Sequence, residues 1–175
     1  MNLDKIKIGD KCPDEFNVII EIPSGGAPVK YEIDKDSGAL VVDRFVATPM
    51  FYPFHYGFVP HTLASDGDPL DVLLLADFPI YPGSVIKVRP IGMLNMEDES
   101  GGDEKILCVP VDKIDSTHKN VSSYEDLPEI VIKRIIHFFE HYKDLEKGKW
   151  VKLGSLVGIK DAKDCVLKSI ANYKG

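Results

Sequence analysis

Cysteine is scarce. Cys12, Cys108 and Cys165 are the only three, they lie far apart, and no Cys-x-x-Cys spacing occurs. An odd, scattered set makes no disulfide framework and suits a reducing cytoplasm, with Cys108 and Cys165 packing as small hydrophobes. No apolar run approaches the ~18 residues of a membrane-spanning helix, so no membrane partner is expected. The opening Met1-Asn2-Leu3-Asp4-Lys5-Ile6 lacks a basic segment leading into an apolar one, so no secretory signal is expected. Positive charge is also short: 21 Lys and Arg face 28 Asp and Glu, a net charge of −7. Nucleic-acid binding needs the opposite sign, because phosphate contacts dominate that affinity. Acidity does not exclude a small anionic substrate, since bound dications reverse the sign locally. Repeats, low-complexity tracts and linkers are missing too, and the 175 residues read as one domain, 1–175.

What is present is a chain whose first two thirds read as strands and loops. Phe16 to Ile22 reads as a strand ending at Pro23-Ser24-Gly25-Gly26. Val29-Lys30-Tyr31-Glu32-Ile33-Asp34 alternates, so Lys30 and Glu32 share one face. Asp36-Ser37-Gly38 is a turn, and Leu40 to Val46 returns as the hairpin partner. Further strands are predicted at Val72–Leu75, Ser84–Met93 and Lys105–Val111. Short strands with Gly and Pro between them suggest a small barrel. The last third is helical. Asp126 and Pro128 open a helix with Val131, Ile135, Phe138 and Tyr142 on one stripe. A second helix is predicted from Asp161 as N-cap, with Ala162, Cys165, Val166, Ile170 and Tyr173 apolar.

The sharpest motif is Asp66-Gly67-Asp68-Pro69-Leu70-Asp71-Val72. Gly67 and Pro69 favour a turn that curls three carboxylates together just before a strand. At 4 Å one such pair repels by about 4 kcal/mol at an effective dielectric of 20. Either the turn is solvated, or a hard dication such as Mg²⁺, Mn²⁺ or Ca²⁺ neutralises it. The ligand spacing of an EF-hand is not met, and no buried strand precedes the motif as an aspartyl-phosphate enzyme would require. A second acidic group, Glu97-Asp98-Glu99 and Asp103-Glu104, flanks Gly101-Gly102. Two acid-rich turns at strand ends can converge on one site.

Lys30, Arg44, Lys105 and Lys143 accompany the acids, and an arginine there can grip a phosphate with two parallel hydrogen bonds. The run Met50 to Pro60 is aromatic: Phe51, Phe54 and Phe58 read as core or interface, Tyr52 and Tyr56 as hydroxyl donors at the rim of the acidic site. His137 and His141 lie one helical turn apart and suit a subunit contact or a surface face. Three alternatives stand beside a phosphoanhydride hydrolase: a non-catalytic divalent-metal module, an OB-type nucleic-acid binder, and a metal-dependent nucleotidase. The companion cations argue against the first, the acidity against the second, and the lack of a legible adenine pocket against the third.

Together these blocks resemble family I soluble inorganic pyrophosphatases of the prokaryotic type. The motif at Asp66–Val72 matches that family's signature. Glu21-Ile22-Pro23, Lys30-Tyr31-Glu32, Asp43-Arg44, Tyr52-Pro53, Tyr56-Gly57, Met96 to Lys105 and Tyr142-Lys143 match further blocks in order. The resemblance implies an α+β fold, an OB-like five-stranded β-barrel with flanking C-terminal helices. It also implies Mg²⁺-dependent hydrolysis of pyrophosphate to two phosphates, with three to four ions per site, Mn²⁺ as a possible substitute, and a cytoplasmic homohexamer. By position, Asp66, Asp71, Asp98, Asp103, Glu21 and Glu32 would serve metals. Asp68 would be the general base. Lys30, Glu32, Arg44, Tyr56, Lys105, Tyr142 and Lys143 would handle substrate.

Overall fold

The computed structural model describes residues 1–174. Seven strands form one mixed sheet: β1 (Phe16–Ile22), β4 (His55–Phe58), β5 (Asp71–Leu74), β6 (Val85–Asp98), β7 (Gly101–Gly102), β8 (Lys105–Pro110) and β9 (Val151–Val157). Their order runs β1-β4-β5-β8-β6-β7, with β9 also on β6 and a further pairing of β1 with β6. β2 (Val29–Ile33) and β3 (Leu40–Phe45) make a separate hairpin. Gly38, at φ 67°, closes its turn, and Asp34 Oδ1 accepts from Ser37 N at 2.7 Å. Helices α1 (Glu129–His141) and α2 (Ile159–Asn172) complete an α+β fold.

Among the described residues every strand pairing is antiparallel except β5 with β8, where Asp71 stands opposite Lys105. Parallel strands begin at the same end of a sheet. The acid-rich turns before β5 and before β8 are therefore brought to one edge.

Strand alternation sorts the core. Leu73 and Leu107 pack with Ile135, Phe138, Phe139 and Tyr142 of the α1 side. Val72, Leu74, Ile106 and Cys108 pack with Ala162 and Val166 of α2. Asp71 and Lys105 share the alternation of Leu73 and Leu107, so they cap the α1-side cluster. Gly57 lets β4 lie tight against β1, since a Cβ there would sit 2.0 Å from the Ile19 carbonyl oxygen.

Several expectations change. The aromatic run contains β4, all four residues of which are buried. Phe58 is core beside Ile19 and Ile33, Phe54 packs against the α1-side cluster, and Phe51 is exposed. β9 carries no clean alternation, because Gly154-Ser155 interrupts it, and was not expected. β6 runs past Met93 to Asp98. The second helix starts at Ile159 with Gly158 as N-cap. Asp161 lies inside its first turn, where a carboxylate still faces the positive end of the helix dipole. Tyr173 lies beyond that helix, exposed and edge-on to His61. No helix among the described residues is long and apolar enough to cross a membrane.

Candidate active site

The turn before β5 is built from its own short-range bonds. Thr62 Oγ1 donates to the Val59 carbonyl at 2.6 Å and accepts from Leu70 N at 2.9 Å. Gly67 takes φ 94°, a region that suits glycine. Asp66 Oδ1 accepts from Asp68 N at 3.0 Å, which leaves the Asp68 side chain exposed at the rim. The second turn, between β6 and β8, is held by Asp103 N donating to the Met96 carbonyl at 2.9 Å and Ser100 N donating to Asp98 Oδ1 at 2.7 Å.

Between the turns lies a cavity of about 180 Å³. Asp66, Asp68, Asp71, Asp98, Glu99 and Asp103 line it, with Lys30, Arg44, Lys105, Lys143 and Lys149. Six carboxylates face five cations, a formal balance of −1. Tyr52, Tyr56 and Tyr142 close the apolar side. An adjoining cavity of about 230 Å³ shares Lys30, Tyr56, Asp68 and Asp71, and adds Glu21 and Glu32. Every metal, base and substrate position implied by the resemblance thus lines one or other of two neighbouring cavities, whereas Glu97 and Glu104 of the second acidic group line neither. Glu21 and Glu32 line only the second.

Lys105 is the buried centre. Its Nζ lies 2.5 Å from Asp71 Oδ2 and also bonds Asp103 Oδ1, with the side chain only 2% exposed. Burial alone would lower its pKa, but Asp71 and Asp103 outweigh burial and hold the ammonium form. Burial raises the pKa of Asp103, with Lys105 opposing. The Tyr56 hydroxyl donates to Asp71 Oδ2 at 2.5 Å. Burial, reinforced by Asp71 and Asp103, keeps that phenol protonated. Burial likewise raises Tyr52 and Tyr142.

Around this centre the cations are paired. Lys30 bonds Glu32 and lies 3.3 Å from Asp43. Arg44 Nη1 lies 2.5 Å from Asp43 Oδ2, and its Nε reaches Glu146 at 3.2 Å. Lys143 Nζ lies 2.7 Å from Asp98 Oδ2 and 3.3 Å from Glu99 Oε2. Burial pushes Asp98 upward, but the bonds from Lys143 and Ser100 N and the charges of Lys143 and Lys105 together outweigh it and hold Asp98 below the ordinary carboxylate value. Glu21, 5% exposed, accepts from Ile33 N at 2.8 Å, and burial raises its pKa to about 7. Burial also raises Asp66.

Sequence reasoning named Asp43 and Glu99 only as parts of larger motifs and passed over Glu146 and Lys149. Glu146 and Lys149 sit in Glu146-Lys147-Gly148-Lys149, which reads as an ordinary solvated turn. Only its folding back beside Arg44 gives it meaning.

Among the described residues no three His, Cys, Asp or Glu side chains enclose a single point as a ready cage. The donors nevertheless suit a hard cation. Asp71 and Asp103 converge on one cationic atom. Asp66 Oδ2, Asp71 Oδ1 and Asp103 Oδ2 accept no hydrogen bond among the described residues. All-oxygen donors of this kind select Mg²⁺, Mn²⁺ or Ca²⁺.

The profile of the family described as "Inorganic pyrophosphatase" matches residues 18–174. An inorganic pyrophosphatase of Agrobacterium fabrum is 58% identical over 174 residues, 99% of this chain and 98% of that one. The crystal structure of inorganic pyrophosphatase from Thermus thermophilus superposes with a TM-score of 0.94 at 46% identity, covering 100% of both chains. The structure of an inorganic pyrophosphatase from Coxiella burnetii gives 0.93 at 49% identity, covering 97% of this chain and 100% of that one. With agreement end to end in sequence and in fold, the chain belongs to the inorganic pyrophosphatase family.

Proposed function

We propose that this chain hydrolyses inorganic pyrophosphate to two orthophosphates in the cavity around Lys105. The observation that carries the reading is the near-balanced set of six carboxylates and five cations on one cavity wall. Dications added to such a set make the site net positive, which suits a small polyanion and not a neutral substrate. Asp66, Asp71 and Asp103 would hold a first Mg²⁺, Asp71 a second, Asp98 and Asp103 a third, and Glu32 a fourth, with Glu21 in support. Mn²⁺ is a possible substitute. Bound dications supply Lewis acidity, neutralising phosphoryl charge and acidifying water.

The chain's own groups do the remaining work. Asp68, exposed at the rim and held only through its backbone, takes the proton of the attacking water. Lys30, Arg44 and Lys143 bind the two phosphoryl groups, and Tyr142 borders them. Tyr56 and Lys105 hold Asp71 in place from two sides. No covalent intermediate on the protein is needed, since positioning and electrostatics supply most of phosphoryl-transfer catalysis.

The ring of pairings β1-β4-β5-β8-β6, returning to β1, supports an OB-like five-stranded barrel with this site at one mouth. Three free cysteines support a cytoplasmic setting. A groove lined by Pro49, Met50, Phe51, Ile130 and His137 supports self-association, and we read the assembly as a homohexamer. The decisive experiment measures phosphate released from pyrophosphate with Mg²⁺, with EDTA, and with Mg²⁺ restored. Release only when Mg²⁺ is present is expected. Release that survives rigorous chelation would overturn the metal-dependent reading.

A further inference from the structure

We infer that Glu146 is the positioning residue that aims Arg44 at the phosphate, acting from the turn that follows α1. The inference rests on the pyrophosphatase reading and deepens it. Beyond α1 the chain bends through successive short turns. Glu146 N donates to the Lys143 carbonyl at 2.8 Å, and Lys149 N donates to the Glu146 carbonyl at 3.2 Å. Gly148, at φ 79°, takes the left-handed region that suits glycine within the second of these turns. Lys143 and Lys149 line the cavity, and Glu146 reaches Arg44 and, at 3.7 Å, Lys149. Glu146 is 12% exposed, unusually dry for a carboxylate in a charged turn.

The use of Arg44's donors gives the geometry its meaning. Glu146 takes Nε at 3.2 Å, and Asp43 takes Nη1 at 2.5 Å. Among the described residues Nη2 has no partner. A guanidinium fixed at Nε and on one side of Nη1 cannot swing, and it keeps its Nη2 donors for an oxyanion. Planar guanidinium is suited to such division of labour, where a lysine ammonium is not. The side chain joined to Glu146 comes from β3, 102 residues away in sequence, so the turn after α1 tethers the hairpin to the helical side of the cavity.

A double-mutant cycle tests this with steady-state kinetics on pyrophosphate and saturating Mg²⁺. Glu146→Ala should raise KM about fivefold with kcat nearly unchanged, the signature of lost binding geometry. Arg44→Lys removes the Nε donor, so Glu146→Ala added to it should cost nothing more. Equal effects of Glu146→Ala in both backgrounds, with active wild type, would overturn the positioning role and leave the pyrophosphatase reading intact. A wild-type protein that releases no phosphate would overturn both.

Discussion

Asp71 and Lys105 stand opposite each other in the parallel pairing of β5 with β8, with Lys105 Nζ 2.5 Å from Asp71 Oδ2. The ammonium is almost wholly buried and also bonds Asp103. Such a charge is stable there only because both acids are ionised beside it.

Lys105→Met keeps the volume and removes the charge. Two acids then lose their counterion, and breaking a buried pair costs about 3–5 kcal/mol. Urea denaturation in EDTA should register that loss, and Mg²⁺ should recover part of it. Stability equal to wild type in EDTA would refute the account of Lys105 as the internal counterion.

Asp68→Asn touches no side-chain bond, because Asp66 holds Asp68 through its backbone N–H. Mg²⁺ affinity by calorimetry should stay near that of wild type, while kcat falls about 10²–10⁴-fold. Full turnover would remove Asp68 as the base.

Mg²⁺ at 100 times its dissociation constant should stabilise the folded chain by about 2.7 kcal/mol. The melting temperature should rise accordingly. Asp71→Asn should abolish most of that rise, and an undiminished rise would exclude Asp71 from the ligand set.

His55 is fully buried: Nδ1 accepts from Ser24 N at 3.0 Å, so Nε2 carries the proton and donates to the Phe78 carbonyl, also at 3.0 Å. Burial lowers its pKa, with the Phe78 bond opposing. The unfolded value is about 6.5, so this contribution to stability is complete above that pH and is lost as pH falls through it. Wild type should lose more stability between pH 7.5 and 5.5 than His55→Asn does. Nitrogen shifts of a neutral, Nε2-protonated ring at pH 6 would agree, and an imidazolium there would not.

Much of this was legible in the chain, and the limits are physical. The Lys30–Glu32 pair follows from strand alternation alone, because residues two apart share a face. β4 was hidden because His55 to Phe58 are buried on both faces and carry no alternation. His55 itself gave no signal, since its partners Ser24 and Phe78 are distant in sequence. Glu146 was illegible for the same reason: its meaning lies in a contact with Arg44 that no local pattern encodes.

The parallel β5–β8 pairing also bears on how the molecule matures. Joining Asp71 to Lys105 needs the intervening excursion through β6, and the cavity wall needs Lys143 and Lys149 from still later in the chain. Contacts so distant along the chain form slowly, after local hairpins such as β2–β3. A ribosome-bound fragment ending before residue 143 would thus possess the signature acids but no competent pocket, so catalytic capacity should emerge only once the chain has grown past Lys149.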